Sequence, residues 1–184
     1  MEMTVETLTD RPETEGLGPR FMREEEEAAV RELFTVCHPT WPDKPPQWWL
    51  CHPTLVLAEG DRIIGSTSFS LSIAATPELS HYGDDVLYGH DLCVHPDARG
   101  RGLGLRLARA RHDLGRALGV TLFLGMTWRE NTAMIRIFDQ LGCWRHATLP
   151  DAYPTEPSRE GLVYIAGLKS RPVPVSDDGT TKGA

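Results

Sequence analysis

The stretch from Val86 to about Leu118 constrains the fold more than any other part of the 184-residue chain. An apolar run, Val86 to Val94, breaks at His95-Pro96 and passes through Arg99-Gly100-Arg101-Gly102-Leu103-Gly104. Beyond it, Leu103, Leu107, Ala110, Leu114 and Leu118 recur at helical spacing. A strand, a glycine turn and a helix in that order leave main-chain N–H groups uncovered at the positive end of the helix dipole, which suits phosphate. Glycines at alternate positions let a ligand come close to the main chain, and Arg99 and Arg101 add positive charge. These residues predict a pyrophosphate site.

Other glycine loops that hold nucleotides do not match. No Gly-x4-Gly-Lys-Ser/Thr string occurs. A dinucleotide fingerprint read from Gly102 and Gly104 needs Gly or Ala at Leu107, and one read from Gly100 and Gly102 needs it at Leu105. The acidic residue that would hold a ribose about 20 positions on is also missing, since Val120-Thr121-Leu122-Phe123 stands there. The loop and helix carry Arg99, Arg101, Arg106, Arg109, Arg111 and Arg116 against Asp113, in a chain of formal net charge −7. Such a basic face on an acidic protein predicts a local polyanion site, although a solvated arginine face reads the same way when it stands alone.

The string Leu92-Cys93-Val94-His95-Pro96-Asp97-Ala98-Arg99-Gly100-Arg101-Gly102-Leu103-Gly104 resembles the acyl-coenzyme A motif of the GNAT superfamily of N-acetyltransferases. Asn131-Thr132-Ala133-Met134-Ile135-Arg136-Ile137-Phe138-Asp139-Gln140-Leu141-Gly142 resembles that family's Asn-to-Leu-Gly helix, at the expected distance. The resemblance is tight over residues 86–142 and extends in layout from about Leu17 to Leu168. It implies an α/β (α+β) fold: a central, mostly antiparallel mixed sheet flanked by helices, with splayed fourth and fifth strands. The acyl donor's thioester arm would enter that gap.

The rest of the chain agrees with this outline. Glu24 to Cys37 reads as a helix, with Val30, Leu33, Phe34 and Cys37 on one face. Thr54 to Ala58 and Arg62 to Leu71 read as a hairpin around Glu59-Gly60-Asp61. Strands follow at Val120 to Met126, Cys143 to Thr148 and Gly161 to Gly167, with a helix from Asn131 between the first two. A single domain over residues 17–168 is expected, with polar tails at 1–16 and 169–184. Forty per cent hydrophobic residues and no apolar run near 18 residues argue against a membrane protein. Four cysteines in no disulfide pattern, and an N-terminus without signal-peptide character, predict a cytoplasmic protein. Acidity argues against general nucleic-acid binding. A homodimer stays open.

By resemblance, the expected cosubstrate is acetyl-CoA. The main chain of Leu92, Cys93 and Val94 would hold its pantetheine arm, and Arg99, Gly100, Arg101, Gly102, Leu103 and Gly104 its pyrophosphate. Asn131 and Phe138 would touch the arm. Acetyl transfer to an amine of pKa ~10.4 needs help with a proton at neutral pH. Strict alternation puts Tyr88, His90, Leu92 and Val94 on one strand face and Gly89, Asp91 and Cys93 on the other. Histidine bases of the family lie two or four positions before the leucine matched by Leu92, which are His90 and Tyr88 here. His90 is the expected base, acting through water, because an ordinary imidazole pKa of ~6.5 suits the task. Asp91 is the rival if the faces are reversed. A buried structural histidine is the bland alternative for His90. Cys93 reads as a small buried residue in preference to a nucleophile.

Phe138 departs from the family, many of whose members carry a tyrosine there that protonates the leaving thiolate. A thiol of pKa about 8.5 leaves fairly well unaided, and Tyr88, Tyr82 or Tyr153 are candidate substitutes. For the amine acceptor, a small molecule or a peptide, Trp41, Trp48, Trp49, His81, Tyr82, Asp84 and Asp85 offer aromatic faces and carboxylates; core packing and solvation are the better explanation of any single one of them. Cys37-His38-Pro39-Thr40 recurs as Cys51-His52-Pro53-Thr54, but adjacent Cys-His pairs fit a zinc site poorly, and no metal is expected. An N-acetyltransferase is therefore the leading function. A non-catalytic acyl-CoA sensor is the alternative that Phe138 suggests, and a protein-interaction domain that has lost the cofactor is a third class.

Overall fold

A computed structural model describes residues 18–40, 48–71, 85–150, 152–153 and 159–168. Seven strands form one sheet: β1 Arg20–Phe21, β2 Thr54–Glu59, β3 Arg62–Ser70, β4 Val86–Val94, β5 Leu122–Trp128, β6 Trp144–Leu149 and β7 Gly161–Gly167. The helices are α1 Glu27–Cys37, α2 Trp48–Cys51, α3 Leu103–Ala117 and α4 Thr132–Gln140. The strand order is β1-β2-β3-β4-β5-β7-β6, with β4 and β5 parallel and every other pair antiparallel. The mixed sheet flanked by helices matches the expected fold class.

The helices cover the sheet because their apolar stripes have separate strand faces to meet. Leu103 and Leu107 of α3 and Phe138 of α4 pack with Leu55, Leu57, Leu87 and Phe123 on one face. Val30, Leu33 and Phe34 of α1 pack with Val56, Ile63 and Cys93 on the other. Element boundaries move by one or two residues from expectation where a cap decides them. Gly119 adopts φ +78°, and Val120 N–H donates back to Gly115 O, so β5 begins at Leu122 and runs on to Trp128. The two-residue β1 and the four-residue α2 were not anticipated; both are too short for a period to register. Among the described residues, no helix is long and apolar enough to cross a membrane.

Two irregularities in β4 shape the centre of the molecule. Its ladder with β5 runs from Val86↔Leu122 to Gly89↔Gly125 and stops there, although both strands continue. The strands therefore part beyond Gly89. On the other side, Ser68 pairs with His90 and Ser66 with Cys93, so Thr67 alone faces the two residues Asp91 and Leu92. This is a β-bulge, with Asp91 at φ +38°.

The bulge corrects the face assignment made from strict alternation. Tyr88 packs in the cluster with Val86, Leu124, Val163 and Ile165 on the α1 side of the sheet, and His90 shares that side through its pairing with Ser68. Leu92 and Val94 turn to the α3 side, while Cys93 turns to α1. One inserted residue inverts every side chain after it. Tyr88 and His90 thus face away from Leu92 and Val94.

Candidate active site

The glycine loop folds as its residues dictate. Gly100 and Gly102 take φ +76° and +74°, a region that side-chain-bearing residues rarely adopt, and a Cβ at either position would meet nothing within 4 Å. Gly102 is the N-cap of α3, so the N–H groups of the first helical turn have no acceptor within the helix. Gly104 has a packing role, since a Cβ there would lie 3.1 Å from Ile137 Cδ1 of α4. The result is an open shelf of main chain at a helix N-terminus.

A groove of about 720 Å³ runs from this shelf along β4 and under α4. Leu92, Cys93, Val94, Arg99, Gly100, Gly102, Leu103, Gly104 and Asn131 all line it. Asn131 caps α4, accepting from Met134 N–H at 3.2 Å. Arg99 folds back so that its Nε donates to Val94 O at 3.1 Å. Arg101 is drawn away from the groove into an ion pair with Glu59 of β2. Cys37 also lines the groove, and its thiol lies 3.4 Å from Val94 O. The hydrogen bond from Cys93, followed by the nearby Arg99 guanidinium, holds the Cys37 thiol down at about 7. Neither Cys37 nor His38 was expected here; their repeated Cys-His pattern raises only the question of a zinc site, which it fits poorly.

At Leu92, Asn131 and Met134 the groove opens into a cavity of about 210 Å³ in the gap between β4 and β5. Tyr88, His90 and Asp91 line it, together with Thr127 and Trp128 of β5, Phe138 of α4, and Tyr153. His90 Nε2 lies 3.1 Å from Ser70 Oγ, and the ring stands edge-on to Tyr88 at 4.5 Å and to His52 at 5.5 Å. Burial holds the Tyr153 hydroxyl in its protonated form well above the usual phenol range, with Tyr88 adding to the effect. Phe138 is almost fully buried, stacked on Tyr164 at 4.5 Å and pressed against Gly125. It borders the cavity and not the groove.

The six arginines do not form one basic face. Arg106 and Arg109 are exposed, and Arg116 pairs with Asp113. Arg111 is buried beneath the sheet at 2 % exposure and lines the cavity. Its Nη1 donates to Thr67 Oγ1 at 2.7 Å, His90 O at 3.3 Å and Ser68 O at 3.5 Å, and its guanidinium lies 5.1 Å from the Phe123 ring centre. Burial brings its pKa down to about 10, which leaves it charged at neutral pH. The sequence held a signal for this: Arg111 lies four residues after Leu107, on the apolar stripe of α3.

Two residues named for an acceptor site have other work. Trp49 is buried against Phe34 under α1. Asp85 accepts from Thr121 N–H and Oγ1, tying the starts of β4 and β5 together at the end remote from the gap. Trp41, His81, Tyr82, Asp84, both tails and the side chain of Trp48 lie outside the described residues.

The sequence profile of the acetyltransferase (GNAT) family matches residues 21–143. No curated protein gives a significant sequence match. Among solved structures, the ribosomal-protein-S18-alanine N-acetyltransferase from Escherichia coli superposes with TM-score 0.69 at 13% identity, covering 85% of this chain and 97% of that one. A Salmonella typhimurium protein described as an acetyltransferase, solved with its cofactor acetyl-CoA, superposes with TM-score 0.64 at 21% identity, covering 86% and 97%. An N-acetyltransferase from Staphylococcus aureus gives TM-score 0.66 at 16% identity, covering 82% and 98%. At these identities the likeness is one of fold.

Proposed function

The chain belongs to the acetyltransferase (GNAT) family, and from that premise we propose that it moves an acetyl group from acetyl-CoA to a primary amine by direct transfer in a ternary complex. The observation that carries this reading is continuity: an open glycine shelf at a helix N-terminus leads by one groove to a cavity holding His90. The donor supplies an activated acetyl thioester. The residues here fit it, because the two positive-φ glycines leave space above the main chain and β4 has no paired neighbour on the β5 side beyond Gly89.

Each residue then has a task. The N–H groups of the α3 first turn and Arg99 bind phosphate oxygens. The edge of Leu92 to Val94 orients the arm, and Asn131 and Met134 close over it where groove and cavity join. His90 accepts the proton of the amine through water, with Ser70 fixing the ring at 3.1 Å. Asp91 holds the ammonium form of the acceptor near His90. With phenylalanine at 138, proton return to the departing sulfur falls to Tyr88 or Tyr153, both of which border the cavity.

The test is acceptor-dependent release of free thiol from acetyl-CoA against a panel of amines, amino acids and peptides. His90→Gln should lower kcat/KM by roughly 10²–10⁴-fold with acetyl-CoA affinity unchanged, and should abolish the acidic limb of the pH–rate profile. An unchanged profile removes His90 from the mechanism. Tight acetyl-CoA binding with no release by any acceptor would favour the sensor reading, for which Phe138 is the supporting residue.

A further inference from the structure

The cavity between β4 and β5 is lined by a buried cation that forms no ion pair among the described residues. All three hydrogen bonds of Arg111 leave from Nη1, and they end on a hydroxyl and two main-chain carbonyls. Among the described residues, Nε has no partner and the guanidinium forms no ion pair. Asp91 acts on it only at a distance. Holding an unpaired cation out of water is costly, so such groups are ordinarily paired or hydrogen-bonded throughout. Across the same cavity, Thr127 is 1 % exposed and its Oγ1 likewise has no partner. Both residues line the one cavity, and each carries a buried donor without a partner, one of them on a cationic group.

A structural role alone does not account for this arrangement. The Nη1 bonds do fasten α3 to β3 and β4 at the bulge, and an amide or hydroxyl there would serve such uncharged acceptors without importing a charge. What the arrangement lacks is an anion with at least two acceptor oxygens. Water satisfies donors but does not neutralise a guanidinium, whereas a carboxylate does both. The opposite sign is also present, since Asp91 and the His90 imidazole border the same cavity and suit an ammonium group. At about 210 Å³, against roughly 30 Å³ per water in the liquid, the cavity corresponds to about seven water-sized atoms, so a small molecule that reaches both sides of it carries its two charges close together.

We propose that Arg111 and Thr127 form a carboxylate subsite at the head of the β4–β5 gap, and that the acceptor is therefore a small free amino acid whose amine lies toward His90 and Asp91. This assignment rests on the transferase reading and narrows its acceptor.

The decisive experiment compares amino acids with their own carboxamides as acceptors, since the pair is nearly isosteric and only the acid carries the negative charge; the amide's less basic amine works against the expected preference. For the wild-type protein with acetyl-CoA, kcat/KM for the better amino acids should exceed that for their amides by at least about 100-fold, because a site built for a polar group strongly rejects its analogue. In Arg111→Met the ratio should collapse to within about threefold through a higher KM for the acid, and in Thr127→Val, which leaves the Nη1 bonds intact, it should fall about five- to tenfold. Equal use of acids and amides by the wild type, or a ratio that survives in folded Arg111→Met, overturns the subsite and leaves the transferase standing. Binding of the same probes to the wild-type protein with CoA present, measured by calorimetry, separates the converse case: amino acids that bind without being acetylated keep the subsite and sink the transferase. Binding of neither probe overturns the subsite. Succinyl-CoA tests the other source of a carboxylate, and a preference for it with uncharged amines would overturn the assignment to the acceptor.

Discussion

Groove and cavity meet at Leu92, Trp128, Asn131 and Met134, yet they are built by opposite means. The groove has a main-chain floor, made by two glycines with positive φ, the free end of α3 and the unpaired edge of β4, and is flanked by side chains such as Asn131, Met134 and Ile137. The cavity gathers side chains from β4, β5, α3 and α4, with His38 and Tyr153. A main-chain surface binds what every relative of the fold can bind, because any sequence that keeps the glycines presents the same N–H groups. A side-chain surface takes its chemistry from whichever residues happen to project into the gap. Recognition of the donor and recognition of the acceptor should therefore fail independently, and substitutions at one should spare the other.

The largest effect should come from the cavity. Gly89 lies on the α3 face of β4, and a methyl group there would overlap the Arg111 guanidinium. Gly89→Ala must displace that side chain from its three hydrogen bonds in a packed interior. The expected loss is about 3 kcal/mol of unfolding free energy, read from urea denaturation. Where the protein remains folded, acetyl-CoA affinity should change by less than about threefold, being a property of the groove. A large loss of acetyl-CoA affinity in the folded variant would break the comparison.

The groove can be probed without steric damage. Asp and Asn both tolerate the left-handed conformation better than other non-glycine residues and differ by one charge. At Gly102, where φ is +74° and nothing lies within 4 Å, both side chains fit. Gly102→Asn should weaken acetyl-CoA binding moderately, through bulk on the shelf. Gly102→Asp should weaken it by a further 2 kcal/mol or so, about 30-fold, if a single phosphate charge lies roughly 8 Å away in a medium of effective dielectric about 20. Calorimetric titration of both variants at low and high salt checks this, and the gap between them should shrink with salt. Equal affinities would remove phosphate from the shelf.

The same division explains which parts were readable from residues alone. The loop at 99–104 and the cap at Asn131 are contiguous, and each works through the main-chain geometry its own residues impose, so local reading suffices. The β-bulge escaped because period-2 alternation assumes an uninterrupted ladder, and the extra residue in β4 is defined only by the partner strand, at Thr67. Arg111 was counted with its surface neighbours because six arginines in sequence look alike. Its position on the apolar stripe of α3 was the distinguishing feature. Thr127 left no trace, as a threonine in a strand is ordinary until its hydroxyl proves unpartnered. The acceptor side is assembled by tertiary structure, and a linear pattern does not contain it.

Cys37 is a reactive side chain that borders the groove, and it tests how sharp the division is. Two cysteines of the chain lie at opposite extremes. The hydrogen bond from Cys93, with Arg99 behind it, brings Cys37 down to about 7, while burial pushes Cys143 up to about 12. The thiolate is the form that alkylates, so at neutral pH Cys37 should react far ahead of Cys143. Iodoacetamide should label Cys37 at a rate that levels off above pH 7 and falls about tenfold per unit below it, with Cys143 unlabelled in the native protein. Arg99→Gln should move the midpoint upward. Because Cys37 borders the groove, saturating acetyl-CoA should slow its labelling, while the exposed Cys51, which lines neither space, should label at an unchanged rate. An amino acid held in the cavity should leave the Cys37 rate unaltered. Protection by the amino acid alone would mean that donor and acceptor surfaces are coupled through this edge of β4, and the two halves of the site would have to be treated as one.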